Sequence, residues 1–166
     1  MNELKRISPA GIDAALAKAE RYRLLDEGWA AESICLDVLA TDPANESALI
    51  QLALARSDQF GDEVSTDYER AREPLDRVTD VYKKAYYGGI LCERRARAKL
   101  ESKVAGRGDM AWEWLHRAMA LFAEAEQLRA PGNDEALLRW NTCVRLIDRH
   151  QLTAPEPEPV EPVLGE

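Results

Sequence analysis

The chain has 166 residues and a mass of 18.6 kDa, the size of one domain able to bury roughly 70% of its unfolded surface without metals or disulfides. Apolar residues at 46% and charged residues at 31% exclude collagen-like and wholly disordered chains. A net charge of −8 repels phosphate backbones and removes the electrostatic footprint of a nucleic-acid binder.

No apolar run approaches the ~20 residues that a bilayer demands, and the charged start, Met1 to Ile7, lacks a signal-peptide stretch. The expectation is a soluble cytoplasmic protein with no membrane partner. Cys35, Cys92 and Cys143 lie in apolar helical patterns far apart, so they read as buried thiols rather than a disulfide framework.

Apolar residues recur at three and four with no sustained alternation, which predicts an all-α chain of about seven helices. Ser8-Pro9 starts the first, whose face includes Ile12, Leu16, Ala19 and Tyr22, and Gly28 is expected to end it. The second runs from about Trp29 to Thr41, where Asp42-Pro43 stops it. Asn45 caps a third helix to about Gln59. A polar loop over 61 to 65 leads to Thr66, the expected cap of a fourth helix carrying Ala71, Leu75 and Val78, in which Pro74 predicts a kink or a late start.

Thr79 or Asp80 opens a long fifth helix through about Lys103 that contains Gly88-Gly89. Asp109 is the expected cap of a sixth helix ending near Arg129, and Pro131-Gly132-Asn133 turns into a seventh, to about Arg149. Residues 1–150 then form one helical domain. Residues 151–166 form an acidic proline-rich tail with Glu156, Glu158, Glu161 and Glu166, whose composition predicts an extended, disordered segment.

An internal repeat organises this reading. Pro43-Ala44-Asn45-Glu46-Ser47-Ala48-Leu49 matches Pro131-Gly132-Asn133-Asp134-Glu135-Ala136-Leu137 as P-x-N-x-x-A-L. A unit beginning at Ile12 places Ala19, Tyr22, Ala31, Cys35, Val38 and Pro43 in register, and Gly89, Cys92, Ala118, Phe122, Ala125 and Pro131 fill the same places in a later unit. With these small and aromatic positions the chain resembles the tetratricopeptide repeat family, although Cys35 stands where an aromatic is usual and the middle unit has lost its proline.

The resemblance spans roughly residues 12 to 149. It implies three degenerate repeats, about 12–43, 46–79 and 82–131, closed by a capping helix, in a right-handed superhelical stack of antiparallel helix pairs. An irregular helical bundle is the alternative. Gly88-Gly89 reads either as a hinge or as close packing, and the small position of the repeat favours packing because interior glycines cost about 1 kcal/mol each relative to alanine.

In such stacks the first helix of each pair lines a concave groove that takes a segment of another protein. The register makes Leu16, Glu20, Arg23, Ile50, Leu54, Tyr86, Ile90, Glu93, Arg94, Leu138 and Thr142 the groove candidates. Leu16 and Glu20 stand where family members that grip chaperone tails carry Lys and Asn, which disfavours that ligand. The run from Glu93 to Arg107 is locally basic and reads as a charged face with intrahelical pairs, or as a seat for an acidic partner or the acidic tail.

Trp112 and Trp114 are expected to divide between core and surface, with Trp140 in the packing. His116 and His150 have no neighbouring metal-site pattern, so no cofactor or metal is expected. The functional expectation is a non-catalytic adaptor, monomeric or weakly self-associating. The alternatives are a self-assembling scaffold module and, less favoured, a thiol-dependent enzyme.

Overall fold

In the structure, a computed structural model that describes residues 2–61 and 65–157, a 3-10 turn at Pro9–Gly11 precedes seven α-helices. These are α1 (Ile12–Leu24), α2 (Gly28–Thr41), α3 (Glu46–Ser57), α4 (Ser65–Asp76), α5 (Val81–Glu101), α6 (Arg107–Leu128) and α7 (Glu135–His150). No strand occurs among the described residues. The expected loop at 61–65 falls mainly on residues 62–64, and most of the expected tail falls on 158–166, both outside the described residues.

Local chemistry explains the helix ends and corrects several boundaries. Ser8 starts the first turn through its carbonyl, which accepts from Gly11 N–H at 3.0 Å, and its hydroxyl makes no cap. Gly28 does not end α1. That task falls to Asp26, held left-handed at φ 62, with Asp26 N–H donating to Arg23 O and Glu27 N–H to Tyr22 O at 2.8 Å. Gly28 instead opens α2 where two backbone segments nearly touch: a Cβ there would lie 2.9 Å from the Ala55 carbonyl oxygen.

Asn45 Oδ1 caps α3 by accepting from Ala48 N–H at 2.9 Å, and Asp80 caps α5 through Lys83 N–H at 3.0 Å. Asp109 is not the cap of α6. The left-handed Gly106, φ 73, occupies that position, and Asp109 lies in the first helical turn. Pro74 does not delay α4, which starts at Ser65. It sits in the last turn, where it removes the N–H that would reach Arg70 O. Arg56 Nη1 donates to that freed carbonyl at 2.8 Å.

Each helix packs antiparallel on its neighbours in sequence, so α1–α2, α3–α4 and α5–α6 form hairpins and α7 closes the stack. The odd helices also touch in succession, α1 with α3, α3 with α5 and α5 with α7. They therefore make one continuous face. The core runs through the hairpins as Ala19, Ala31, Cys35, Val38, Leu49, Leu91, Leu115, Ala118, Phe122 and Cys143.

The widest contact is α5 on α6, and Gly89 permits it: a Cβ there would stand 2.5 Å from Phe122 Cε1. α5 passes through Gly88-Gly89 without a break, and Gly88 meets Leu121 at only ordinary distance. Close packing, not a hinge, is what Gly89 supplies.

Charge ties neighbouring pairs together. Glu32, almost fully buried, accepts from Arg56 Nε at 3.0 Å, Gln59 Nε2 at 2.9 Å and Arg70. Burial pushes its pKa up, but the Gln59 and Arg56 hydrogen bonds with the Arg70 and Arg56 charges outweigh that and hold it below the usual carboxylate value. Glu46 Oε1 accepts from Thr79 N–H, Thr79 Oγ1 and Asp80 N–H, which fixes the start of α5 beside the start of α3 and lowers the Glu46 pKa.

The basic run on α5 also reaches other parts of the fold. Glu93, 1% exposed, pairs with Arg139 of α7 at 3.2 Å, and Arg95 lies over the Phe60 ring at 5.5 Å.

Candidate functional site

Two of the open clefts on the face formed by the odd helices border α3. The upper one, of about 260 Å³, has Ile50 and Leu54 of α3 as apolar lining, with Glu20 and Arg23 from α1, Ser47 and Gln51 from α3, and Lys83 and Tyr87 from α5. The lower one, of about 360 Å³, is polar and brings Asp26, Asp58 and Phe60 against Arg94, Arg97 and Glu101. Spacing on each helix explains these sets: Ser47, Ile50, Gln51 and Leu54, like Lys83 and Tyr87, recur at three or four and share a side.

Between the clefts runs an ionic bridge over three odd helices. Arg23 Nε donates to Asp58 Oδ2 at 2.6 Å, and Arg94 Nη1 donates to Asp58 Oδ1 at 2.5 Å, Ser57 Oγ at 2.6 Å and Leu54 O at 3.1 Å. Arg94 thereby satisfies the carbonyl end of α3, where a cation is favoured. Burial lowers its pKa, opposed by the Asp58 charge. Two guanidiniums share one carboxylate, and Glu20, Asp26 and Glu101 balance the remaining cations of the two clefts.

The expected groove residues divide. Glu20, Arg23, Ile50 and Leu54 come together in the upper cleft. Leu16 and Ile90 are core instead, because α1 and α5 turn those positions toward their neighbours. Tyr86 is also core, 6.0 Å from Phe122 between ring centroids, and its neighbour Tyr87 faces the cleft. That is a shift of one residue, or about 100° on a helix. Glu93 is buried in its pair with Arg139, and Arg94 spans toward α3 rather than standing free. Leu138 is 61% exposed on α7 but lines neither cleft, and Thr142 Oγ1 donates to Leu138 O within its own helix.

The aromatic expectations change as well. Trp112 and Trp114 are both half-buried: Trp112 stacks on His116 at 3.7 Å, and Trp114 lies 4.4 Å from Tyr68 with Arg117 over its ring. Trp140 is a surface residue rather than packing. The most exposed tryptophan is Trp29, at 69%, a position that helical periodicity alone places at an unremarked helix start.

Thiol chemistry finds no support at any of the three cysteines. All are buried, and burial pushes Cys35 and Cys143 up to about 12 and raises Cys92, against the electropositive exposure a thiolate nucleophile requires. Among the described residues no group of three or more His, Cys, Asp or Glu is placed to hold a metal ion, and no helix is long and apolar enough to cross a membrane. No protein-family model and no curated protein matches the chain.

Proposed function

We propose that the chain is a non-catalytic adaptor of tetratricopeptide-like build, which binds an extended or helical segment of a partner protein along the face of its odd helices. The observation that carries this reading is the succession of α1, α3 and α5 contacts with an open cleft on each side of the Arg23–Asp58–Arg94 bridge. Ile50 and Leu54 offer an apolar anchor site. Glu20, Lys83, Arg97 and Glu101 at the margins supply charge selectivity. A cytoplasmic setting fits the buried free thiols, which persist where disulfides do not form.

Charge reversal at the margin tests the reading better than charges placed in the core, since Ile50, Leu54 and Ile90 are all nearly buried and an acid there would unfold the chain. Peptides selected on the intact chain from a random display library are expected to lose roughly tenfold or more in affinity with Glu20→Lys or Lys83→Glu. They should bind Trp29→Glu as they bind the natural chain. Failure to select any peptide, or binding indifferent to both reversals, overturns the proposal.

A further inference from the structure

The α1–α2 end of the stack presents a second surface, distinct from the clefts. Ala14, Ala17 and Arg21 recur at three and four along one exposed side of α1 and, with Lys18 and Tyr22, line a trough of about 550 Å³. Glu20, three residues from Ala17, borders this side, and with Arg23 it lines the upper cleft. The trough leads to the α1–α2 turn, where Leu24 is 82% exposed, Leu25 61% and Trp29 69%, and Leu36 of α2 follows at 46%.

Aromatic and leucine side chains of this size expose on the order of 500 Å² of apolar surface here, near the upper limit of what a free monomer shows. Together with the trough, that is most of the roughly 800 Å² that each partner contributes to a standard interface.

The charges beside the trough select the occupant. Asp13 and Arg21 are exposed, and neither is engaged in an ion pair among the described residues. An antiparallel crossing of two α1 helices centred on Ala17 sets Asp13 opposite Arg21 twice, each four residues from the axis. It also sets Leu24 opposite Ala10, each seven residues away. Alanine at the crossing lets the helices approach closely. A parallel crossing would set arginine against arginine. A face that is complementary to itself under rotation is what a two-fold interface requires.

We propose that the α1–α2 end is a self-association surface that takes a second copy of this chain across a two-fold axis, with Leu24, Leu25 and Trp29 as apolar anchors and reciprocal Asp13–Arg21 pairs fixing the direction. The proposal does not depend on the peptide-binding reading, because Asp13, Arg21, Leu24, Leu25 and Trp29 line neither cleft.

Sedimentation equilibrium on the intact chain, from micromolar to several hundred micromolar, tests it. The expected mass rises with concentration toward twice 18.6 kDa. Trp29→Glu, which keeps its helical circular dichroism, is expected to weaken association about thirtyfold, the loss typical of a buried aromatic anchor. Asp13→Arg and Arg21→Asp should each sediment as monomers, and an equimolar mixture of the two should recover the dimer. A natural chain that stays monomeric throughout overturns the surface, as does a dimer that Trp29→Glu leaves intact. A mixture that fails to recover the dimer overturns the antiparallel crossing.

Discussion

The α5–α6 and α1–α2 hairpins follow one spacing and fill it differently. In α5–α6 the run Ala118, Phe122, Ala125 is wholly buried, and the Phe122 ring takes the space that Gly89 leaves empty. In α1–α2 the run with the same spacing is Ala31, Cys35, Val38, opposed in register by Ala19, all wholly buried. A large side chain demands glycine across the crossing and a small one is content with alanine, since interiors conserve volume rather than residue type. The hairpins also differ in what covers them. α5–α6 lies between α4 and α7, while α1–α2 has a neighbour only on the α3 side and leaves Leu24, Leu25 and Trp29 in the open.

Breaking the α5–α6 solution should cost most. Phe122→Ala is expected to lower stability by about 3–5 kcal/mol, read by chemical denaturation, because the cavity lies in the widest contact of the fold. Gly89→Ala should cost about 1–3 kcal/mol despite the better helix propensity of alanine, as the new Cβ meets the ring. The double variant Gly89→Ala with Phe122→Cys copies the α1–α2 arrangement. Its cost should fall clearly short of the two single losses added together, and simple additivity would show that the two positions do not share one space.

The first hairpin instead holds its second helix to α3 and α4 by charge. Glu32→Gln should cost about 2–3 kcal/mol near neutral pH, since it removes the anion that Arg56, Gln59 and Arg70 surround. The folded pKa of Glu32 lies below its usual 4.5. Its contribution is therefore full above that value and is lost as pH falls through the lowered one. Denaturation curves should accordingly converge for the natural chain and Glu32→Gln in acid, and a gap that persists or widens there contradicts the assignment.

The smallest effect compares the two P-x-N turns. Asn45 caps α3, so Asn45→Ala should cost about 1 kcal/mol. Asn133 does not cap α7. Its Nδ2 donates to Tyr82 Oη at 2.9 Å and its Oδ1 accepts Glu135 N–H at 3.2 Å, before a helix whose cap position is Asp134. Asn133→Ala should thus loosen α7 against α5, seen as faster amide exchange in α7, with a thermal shift smaller than that of Asn45→Ala.

These two asparagines show where the sequence is legible and where it is not. The pattern places a turn before a helix in both copies, and a helix begins soon after each. That the second asparagine also reaches another helix depends on Tyr82 standing within range, a contact 51 residues away. The candidate site divides along the same line. Helical spacing points to Ile50, Leu54 and Glu20, which meet at one cleft, and to Tyr86, where the cleft holds Tyr87, because three tyrosines at 82, 86 and 87 offer two faces. Nothing local marks Asp58 as the carboxylate that Arg23 and Arg94 share, since the three residues come from separate helices or their ends.

Helical periodicity, proline stops, side-chain caps and the spacing of small residues are properties of neighbours along the chain. They suffice to determine an all-α architecture and the approximate ends of its seven helices. Which side of each helix faces a partner, which glycine is a contact rather than a terminus, and which charges meet are decided only when helices distant in sequence are brought together. The reason is geometric: a turn of about 100° per residue makes adjacent positions diverge, so a register error too small to alter the pattern is large enough to exchange core for cleft.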